Sequence, residues 1–139
     1  FNAAAYSGSA GLTKPNIYAQ RIFANDFVAA SDKRIKTDIS SVQDDTALNQ
    51  VNAVESYEYQ YIDPERKQPM KTIGFIAQEV QEVIPELVKE VDTLKEEGTH
   101  LTVDYAKTTA ILVEAIKEQQ KQIEELKSEI KEMKDGFTI

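Results

Sequence analysis

The chain has 139 residues, of which 41% are hydrophobic and 29% are charged, so it has room for one domain or for one small core plus an extension. The formal net charge of −8 argues against a nucleic-acid partner, because binding to a phosphate backbone depends on clustered Lys and Arg. The absence of cysteine excludes disulfides and thiolate chemistry, and no apolar run approaches the ~20 residues of a membrane-spanning helix.

Residues 1–30 are poor in charge and rich in small residues, and they carry no hydrophobic pattern that would build a separate core. Residues 17–23 and 27–30 each predict a short strand, with a turn between them. Because the chain begins with Phe1 and has no signal-peptide pattern, we expect it to be part of a longer protein. We therefore assign residues 1–31 as an extended β segment that pairs with other chains.

Residues 32–110 alternate strand and helix signals and predict a small mixed α+β globular domain. Strands are expected at residues 33–39, 57–61, 72–76, 87–91 and 101–103. One helix is expected to begin at Asp44, which can cap it, and a second to cover residues 77–83 and end at Pro85. Asp104, directly after the last strand, can cap the final helix.

Residues 111–139 predict a long helix whose apolar residues recur at alternating steps of four and three, as in a coiled coil. The predicted a and d positions of this oligomer core are Leu112, Ile116, Gln119, Ile123, Leu126, Ile130 and Met133. Glu129 at g and Lys134 at e stand in the relation that pairs across parallel helices. A helix over residues 111–135 would extend ~37 Å and reach beyond the core, which favours self-association over packing on its own domain.

The heptad pattern does not by itself define the number of helices. Isoleucine at a with leucine at d favours two strands, whereas the polar Gln119 at d can set the register or the number at some cost in stability. The pattern therefore predicts an oligomer and leaves its size open.

Three stretches of the chain, in their order and spacing, resemble one family. They are Ser31-Asp32-Lys33-Arg34-Ile35-Lys36, the run GFIAQEVQEVIPELV over residues 74–88, and Val103-Asp104-Tyr105 followed by residues 112–119. Together they are similar to the peptidase S74 family, the intramolecular chaperone domains of endosialidase-type tail spikes. Long tail fibres, phage neck appendages and a eukaryotic membrane-anchored transcription factor carry similar domains. The resemblance covers residues 31–130.

The resemblance implies a homotrimer with a parallel coiled coil, whose C-terminal domain helps an upstream β-rich fibre to fold and then releases itself by autoproteolysis. The serine that opens the S-D-x-R-x-K motif corresponds to Ser31, and its lysine partner corresponds to Lys36. The implied cleavage lies between Ser31 and Asp32, with the bond between Ala30 and Ser31 as the alternative. Assembly would take place in the host cytoplasm, and the upstream product would enter the virion tail. The Asp and Glu residues show no spacing typical of a metal site, and we expect no metal, cofactor, membrane or nucleic-acid partner.

The chemistry of such a dyad sets conditions on Lys36. A serine hydroxyl needs a base, and Lys36 can serve as one if burial or a neighbouring cation lowers its pKa below the usual ~10.4. The only histidine, His100, is expected to be a surface or packed residue. In a straight strand Ser31 and Lys36 would lie on opposite faces, so either a bend separates them or Lys36 serves another chain.

Two other functions fit parts of the pattern. A non-cleaving structural trimerisation domain of a fibre protein would need the same fold and the same helix. The transcription-factor relative is disfavoured, because no cluster of basic residues precedes Ser31 and no membrane span follows Leu126.

Overall fold

The computed structural model describes residues 23–62, 70–92 and 98–138. The chain divides into two compact units, Phe1–Ile35 and Lys36–Ile139. In the described part of the first unit, the single regular element is a 3₁₀ turn at Lys33–Ile35.

The second unit is a mixed α/β structure built from short elements and one long helix. In chain order its elements are α1 (Asp44–Ala53), β1 (Tyr57–Tyr59), β2 (Thr72–Gly74), α2 (Ala77–Val83), a 3₁₀ turn (Pro85–Leu87), β3 (Val88–Asp92), β4 (Thr99–Val103), a 3₁₀ turn (Tyr105–Lys107) and α3 (Thr108–Gly136). Strand β1 pairs with β2 and β3 pairs with β4, both antiparallel. The predicted mixture of short strands and helices before a long C-terminal helix is confirmed.

Two small apolar clusters hold this unit together. In the first, α1 packs on α3 through the buried Ala47, Leu48 and Ala115, and the two small alanine side chains allow the helices to approach closely. Val51 and Ile111 pack against the edge of this cluster. The N-terminal half of α3 is therefore part of the domain core rather than a free extension.

The second cluster lies where α2 meets the β3–β4 ribbon. Val80, Ile84 and Leu87 are its buried residues. Val80 is 1% exposed, and full burial of such a side chain contributes roughly 1.5–3 kcal/mol. The amide of Asp104 donates to the carbonyl of Leu87 over 2.7 Å, which ties the end of β4 to the turn that follows α2. Pro85 begins that turn, so α2 ends where the sequence predicted.

Of the three strands expected before α1, one needs correction and two stay predictions. The predicted strand at residues 33–39 is wrong, because the segment forms the 3₁₀ turn and then irregular backbone, with no partner strand among the described residues. Residues 27–30 have no regular structure in the single chain, and because their expected strand partners are other chains, the extended β segment stays a prediction. The predicted strand at residues 17–23 lies almost wholly outside the described residues.

The expected helix caps are confirmed in part. Gln43, rather than Asp44, occupies the capping position of α1, and the Asp44 carboxylate accepts from the amide of Asp45 over 3.0 Å. The Asp104 carboxylate accepts from the amide of Lys107 and so caps the 3₁₀ turn that leads into α3. Within the described ranges, no helix is both long enough and apolar enough to cross a membrane.

Candidate functional site

Ser31 and Lys36 flank the 3₁₀ turn in the chain. Ser31 lies in exposed, irregular backbone before the turn, in the first unit, and Lys36 is the exposed first residue of the second unit. Because this stretch is not a straight strand, the alternation that would place their side chains on opposite faces does not apply. The assignment of Ser31 as nucleophile and Lys36 as base stays a prediction.

Asp32 and Arg34 form a clamp around the turn. The Arg34 Nε lies 3.0 Å from Asp32 Oδ1 and 3.1 Å from Oδ2, and Arg34 Nη2 donates to Oδ2 over 2.6 Å. The Arg34 amide also donates to Oδ1 over 2.8 Å, and the Ile35 amide donates to the Asp32 carbonyl over 3.2 Å. Both carboxylate oxygens and the carbonyl oxygen of Asp32 are therefore engaged inside the turn.

The clamp also fixes the charge state of Asp32. Hydrogen bonds from the Arg34 side chain and then from its amide lower the pKa of the Asp32 carboxyl, and the same contact raises the pKa of the Arg34 guanidinium. Asp32 is thus ionised at neutral pH, next to one of the two candidate cleavage bonds. The sequence analysis missed this contact, although an aspartate two residues before an arginine at the start of a turn is a local signal for it.

The predicted coiled-coil positions share one exposed face of α3. Among the six apolar members the exposed fraction runs from 43% at Leu112 to 62% at Ile116, and Gln119 is exposed as well. The face that packs on α1 is a different one and carries the buried Ala115 and Glu118. A single α3 thus has a second apolar face that its own domain does not cover.

Glu118 is a buried acid that the sequence analysis did not single out. Its Oε1 accepts from Gln122 Nε2 over 2.7 Å, and its Oε2 lies 3.6 Å from the ammonium of Lys121. The residue is only 7% exposed, so these two neighbours on the same helix supply its polar contacts.

Tyr105 joins the second and third sequence motifs. Its hydroxyl accepts from the amide of Phe75 over 2.9 Å, and the two rings stack with centroids 5.3 Å apart and planes 12° apart. A Cβ atom at Gly74 would overlap the Tyr105 hydroxyl and lie 3.2 Å from atoms of the Tyr59 ring and hydroxyl. The motif glycine is therefore explained by the close approach of two tyrosines to the backbone.

The aromatic face of β1 has shifted tyrosine acidities. The Tyr57 hydroxyl donates to Glu79 Oε2 over 2.8 Å, and this hydrogen bond raises the pKa of Tyr57. The Tyr59 and Tyr61 hydroxyls lie 3.5 Å apart, and chiefly this contact, with some burial, raises the pKa of Tyr59 to about 12. Both shifts favour neutral phenols that hold β1 to its neighbours.

No cluster of three or more potential metal ligands occurs in the part of the chain that the structure describes. His100 is exposed on β4, opposite Val91 in the ribbon.

Residues 31–89 match the family model Peptidase_S74, described as chaperone of endosialidase, so the match begins at Ser31 and includes the whole GFIAQEVQEVIPELV motif. Over these residues the chain is similar to the peptidase S74 family, and the resemblance inferred from the sequence is confirmed.

Three relatives are informative. The long tail fiber protein Gp37 of Salmonella phage S16 is 32% identical over 120 residues, which are 82% of this chain and 15% of the relative. The long tail fiber protein Gp37 of Enterobacteria phage M1 is 30% identical over 107 residues, 75% of this chain and 41% of the relative. The uncharacterized protein VP1 of Micromonas pusilla reovirus is 39% identical over 62 residues, 45% of this chain and 3% of the relative. The chain thus spans less than half the length of each.

Proposed function

We propose that this chain is the C-terminal intramolecular chaperone of a phage tail fibre or tail spike. It trimerises through α3, assists folding of the upstream fibre and then releases itself by cutting beside Ser31, with Lys36 as the base. The observation that carries the proposal is the family match, which begins at the predicted nucleophile. Folding and release would take place in the host cytoplasm during virion assembly, and the upstream product would enter the tail.

The exposed face of α3 supports self-association. Six large apolar side chains line it, and each is 43–62% exposed, so its burial would contribute about half of the roughly 1.5–3 kcal/mol of a fully exposed side chain. Parallel helices that bury this face would bring Gln119 of each chain to the same level, where a polar residue fixes the register. The number three comes from the family rather than from this pattern.

The described end of the first unit supports a role for the domain beside an upstream structure. Phe23 and Val28 are 88% and 87% exposed, and Phe27 is also exposed. Three large apolar side chains so exposed within six residues would be suited to contact with another chain. In the proposal, neighbouring fibre strands cover them once three chains are held together by α3.

The proposed chemistry is an acyl transfer followed by hydrolysis. Neutral Lys36 Nζ takes the proton from Ser31 Oγ as the oxygen attacks the carbonyl carbon of the scissile peptide. The C–N bond then breaks, and Lys36 returns the proton to the leaving amine. Water hydrolyses the resulting ester, which gives the carboxylate of the upstream fragment and restores the serine hydroxyl.

The position of the cut determines which serine attacks. Attack of Ser31 on its own carbonyl would close a strained four-membered ring, so cleavage between Ser31 and Asp32 requires the serine of a neighbouring chain or an indirect route. Attack on the Ala30 carbonyl is an ordinary acyl shift within one chain. N-terminal sequencing of the released fragment separates the two, because a start at Asp32 excludes cleavage before Ser31.

The test is intact mass measurement of the full protein with its upstream fibre. Wild type is expected to yield two fragments, and Ser31→Ala and Lys36→Ala to stay whole. Ser40→Ala and Lys33→Ala are matched controls, since they remove the same groups from the same stretch of chain and should be processed as wild type. Normal processing of either dyad variant would overturn the assignment of that residue.

A second candidate is a structural trimerisation domain that is never removed. It is favoured by the names of the two phage relatives, both of which are fibre proteins. A trimeric wild-type protein that runs at full length after boiling on a denaturing gel would support this candidate and exclude self-cleavage.

A further inference from the structure

We infer that Arg34 is a positioning residue for the proposed cleavage, because it locks Asp32, on the amine side of the Ser31–Asp32 bond, into one conformation. This inference rests on the proposed function and concerns the geometry of the same site. Asp32 contributes the nitrogen of that bond, so its backbone angles determine how the bond is presented to an attacking oxygen.

The contacts of Asp32 leave it little freedom. Its carbonyl accepts from the Ile35 amide, its Oδ1 accepts from the Arg34 amide, and both carboxylate oxygens lie within 3.1 Å of the Arg34 guanidinium. The backbone bonds close the turn, and the planar fork of the guanidinium then holds the side chain from the outside. A lysine at the same position would offer one point charge in place of the fork.

Because the side chains of Asp32 and Arg34 are exposed, their contact affects the conformation of the turn more than the stability of the fold. The Arg34 side chain is 88% exposed and that of Asp32 is 45% exposed. Ion pairs so accessible to water contribute little to folding, since solvent screens them and ordering two side chains is costly. A preformed turn beside a scissile bond has a larger effect on rate, because misplacement of reacting groups by about 1 Å can slow a reaction ~10²-fold.

Lys33 is the matched control. It is exposed, it lies in the same 3₁₀ turn, and it makes no ion pair with any described residue. Lys33→Ala removes the same unit of positive charge as Arg34→Ala, but it leaves the clamp intact.

The experiment measures the rate of self-cleavage of the full protein in wild type, Arg34→Ala, Arg34→Lys, Asp32→Asn, the Asp32→Asn/Arg34→Ala double variant and Lys33→Ala. Arg34→Ala is expected to slow cleavage about three- to fivefold, since a solvent-screened pair holds the turn only weakly, with partial recovery in Arg34→Lys and no loss in Lys33→Ala. The double variant should be no slower than the slower single variant, since both break one contact. Denaturant unfolding should change little in any of them.

The results separate this inference from the proposed function. If Ser31→Ala blocks cleavage but Arg34→Ala cleaves within about twofold of wild type, the inference is wrong and the function stands. Equal slowing by Lys33→Ala would assign the effect to net charge and would also overturn it. If wild type stays whole, or Ser31→Ala is cleaved, the function fails and the inference fails with it. If Arg34→Ala does not fold, the cleavage rates of Arg34→Lys and Asp32→Asn provide the test. Wild-type rates in both variants would refute a positioning role for the Asp32–Arg34 contact.

Discussion

Replacing Gly74 with alanine tests the contact that joins two of the three sequence motifs. The added methyl group would occupy the position of the Tyr105 hydroxyl and press on Tyr59, so at least one tyrosine must move. If Tyr105 moves, the hydrogen bond from the Phe75 amide and the stacking of the two rings are lost together.

The magnitude follows from three contributions. Forcing an extra methyl group into a packed site costs typically about 1–3 kcal/mol. Loss of the Phe75–Tyr105 hydrogen bond adds about 1 kcal/mol. Alanine in place of glycine recovers about 0.4–1 kcal/mol by restricting the unfolded chain. We therefore expect Gly74→Ala to lower the free energy of unfolding by roughly 1–3 kcal/mol.

A double-mutant cycle with Tyr105→Phe is the sharpest assay. Tyr105→Phe removes the oxygen that the new methyl group would meet, so Gly74→Ala should cost less by about 1 kcal/mol or more in that background. Urea unfolding followed by helix circular dichroism, at one fixed protein concentration, measures all four proteins. Gly136→Ala is the control, because no described atom lies within 4 Å of a Cβ there. Costs that add within about 0.5 kcal/mol would refute the steric explanation.

Three further predictions concern α3 and β1. Ile123→Asp should dissociate the proposed oligomer in analytical ultracentrifugation, because it places a charge on the apolar face of α3. Ser128→Asp, on the outer f position, should leave the oligomer intact, and an unchanged mass for both variants would refute the heptad assignment. Ala115→Leu should overpack the contact with α1 and destabilise the domain by about 1–3 kcal/mol in the same urea assay, and a gain in stability would contradict the close packing. Tyr59 should titrate near pH 12 when its ultraviolet absorbance is followed. The free energy of unfolding should fall as the pH rises from about 10, the ordinary pKa of tyrosine, to 12. An unchanged titration in Tyr61→Phe would exclude the contact between the two hydroxyls as the cause of the shift.

The elements predicted well from the sequence are those whose signals are local. The helix at Asp44–Ala53, the helix at Ala77–Val83 and the long α3 each show helical spacing or a proline stop within their own residues. The β3–β4 ribbon likewise follows from two short apolar runs. In these cases the residues that generate the signal are also the residues that form the element.

The predictions failed or were silent where the decisive partner lies elsewhere. Residues 33–39 have strand character, but a strand needs a neighbour, and the Asp32–Arg34 clamp instead favours a turn. The role of Gly74 depends on Tyr105, which lies 31 residues further along the chain. Local spacing also could not show that Glu118 is buried, because a charged residue normally indicates a solvated face.

Helix α3 has one face that packs on α1 and another that carries the predicted heptad positions, and both begin near Leu112. Leu112 is the first predicted d position, and it also lines an apolar cavity of about 220 Å³ together with Val80 and Ile84 of the domain core. Ala115, one turn further on, is buried against α1. The start of the proposed association face is therefore fixed by the folded domain, whereas Ile130 lies beyond the contacts with α1. A defect in the domain core should thus weaken both folding and association, while a substitution at Ile130 should weaken association alone.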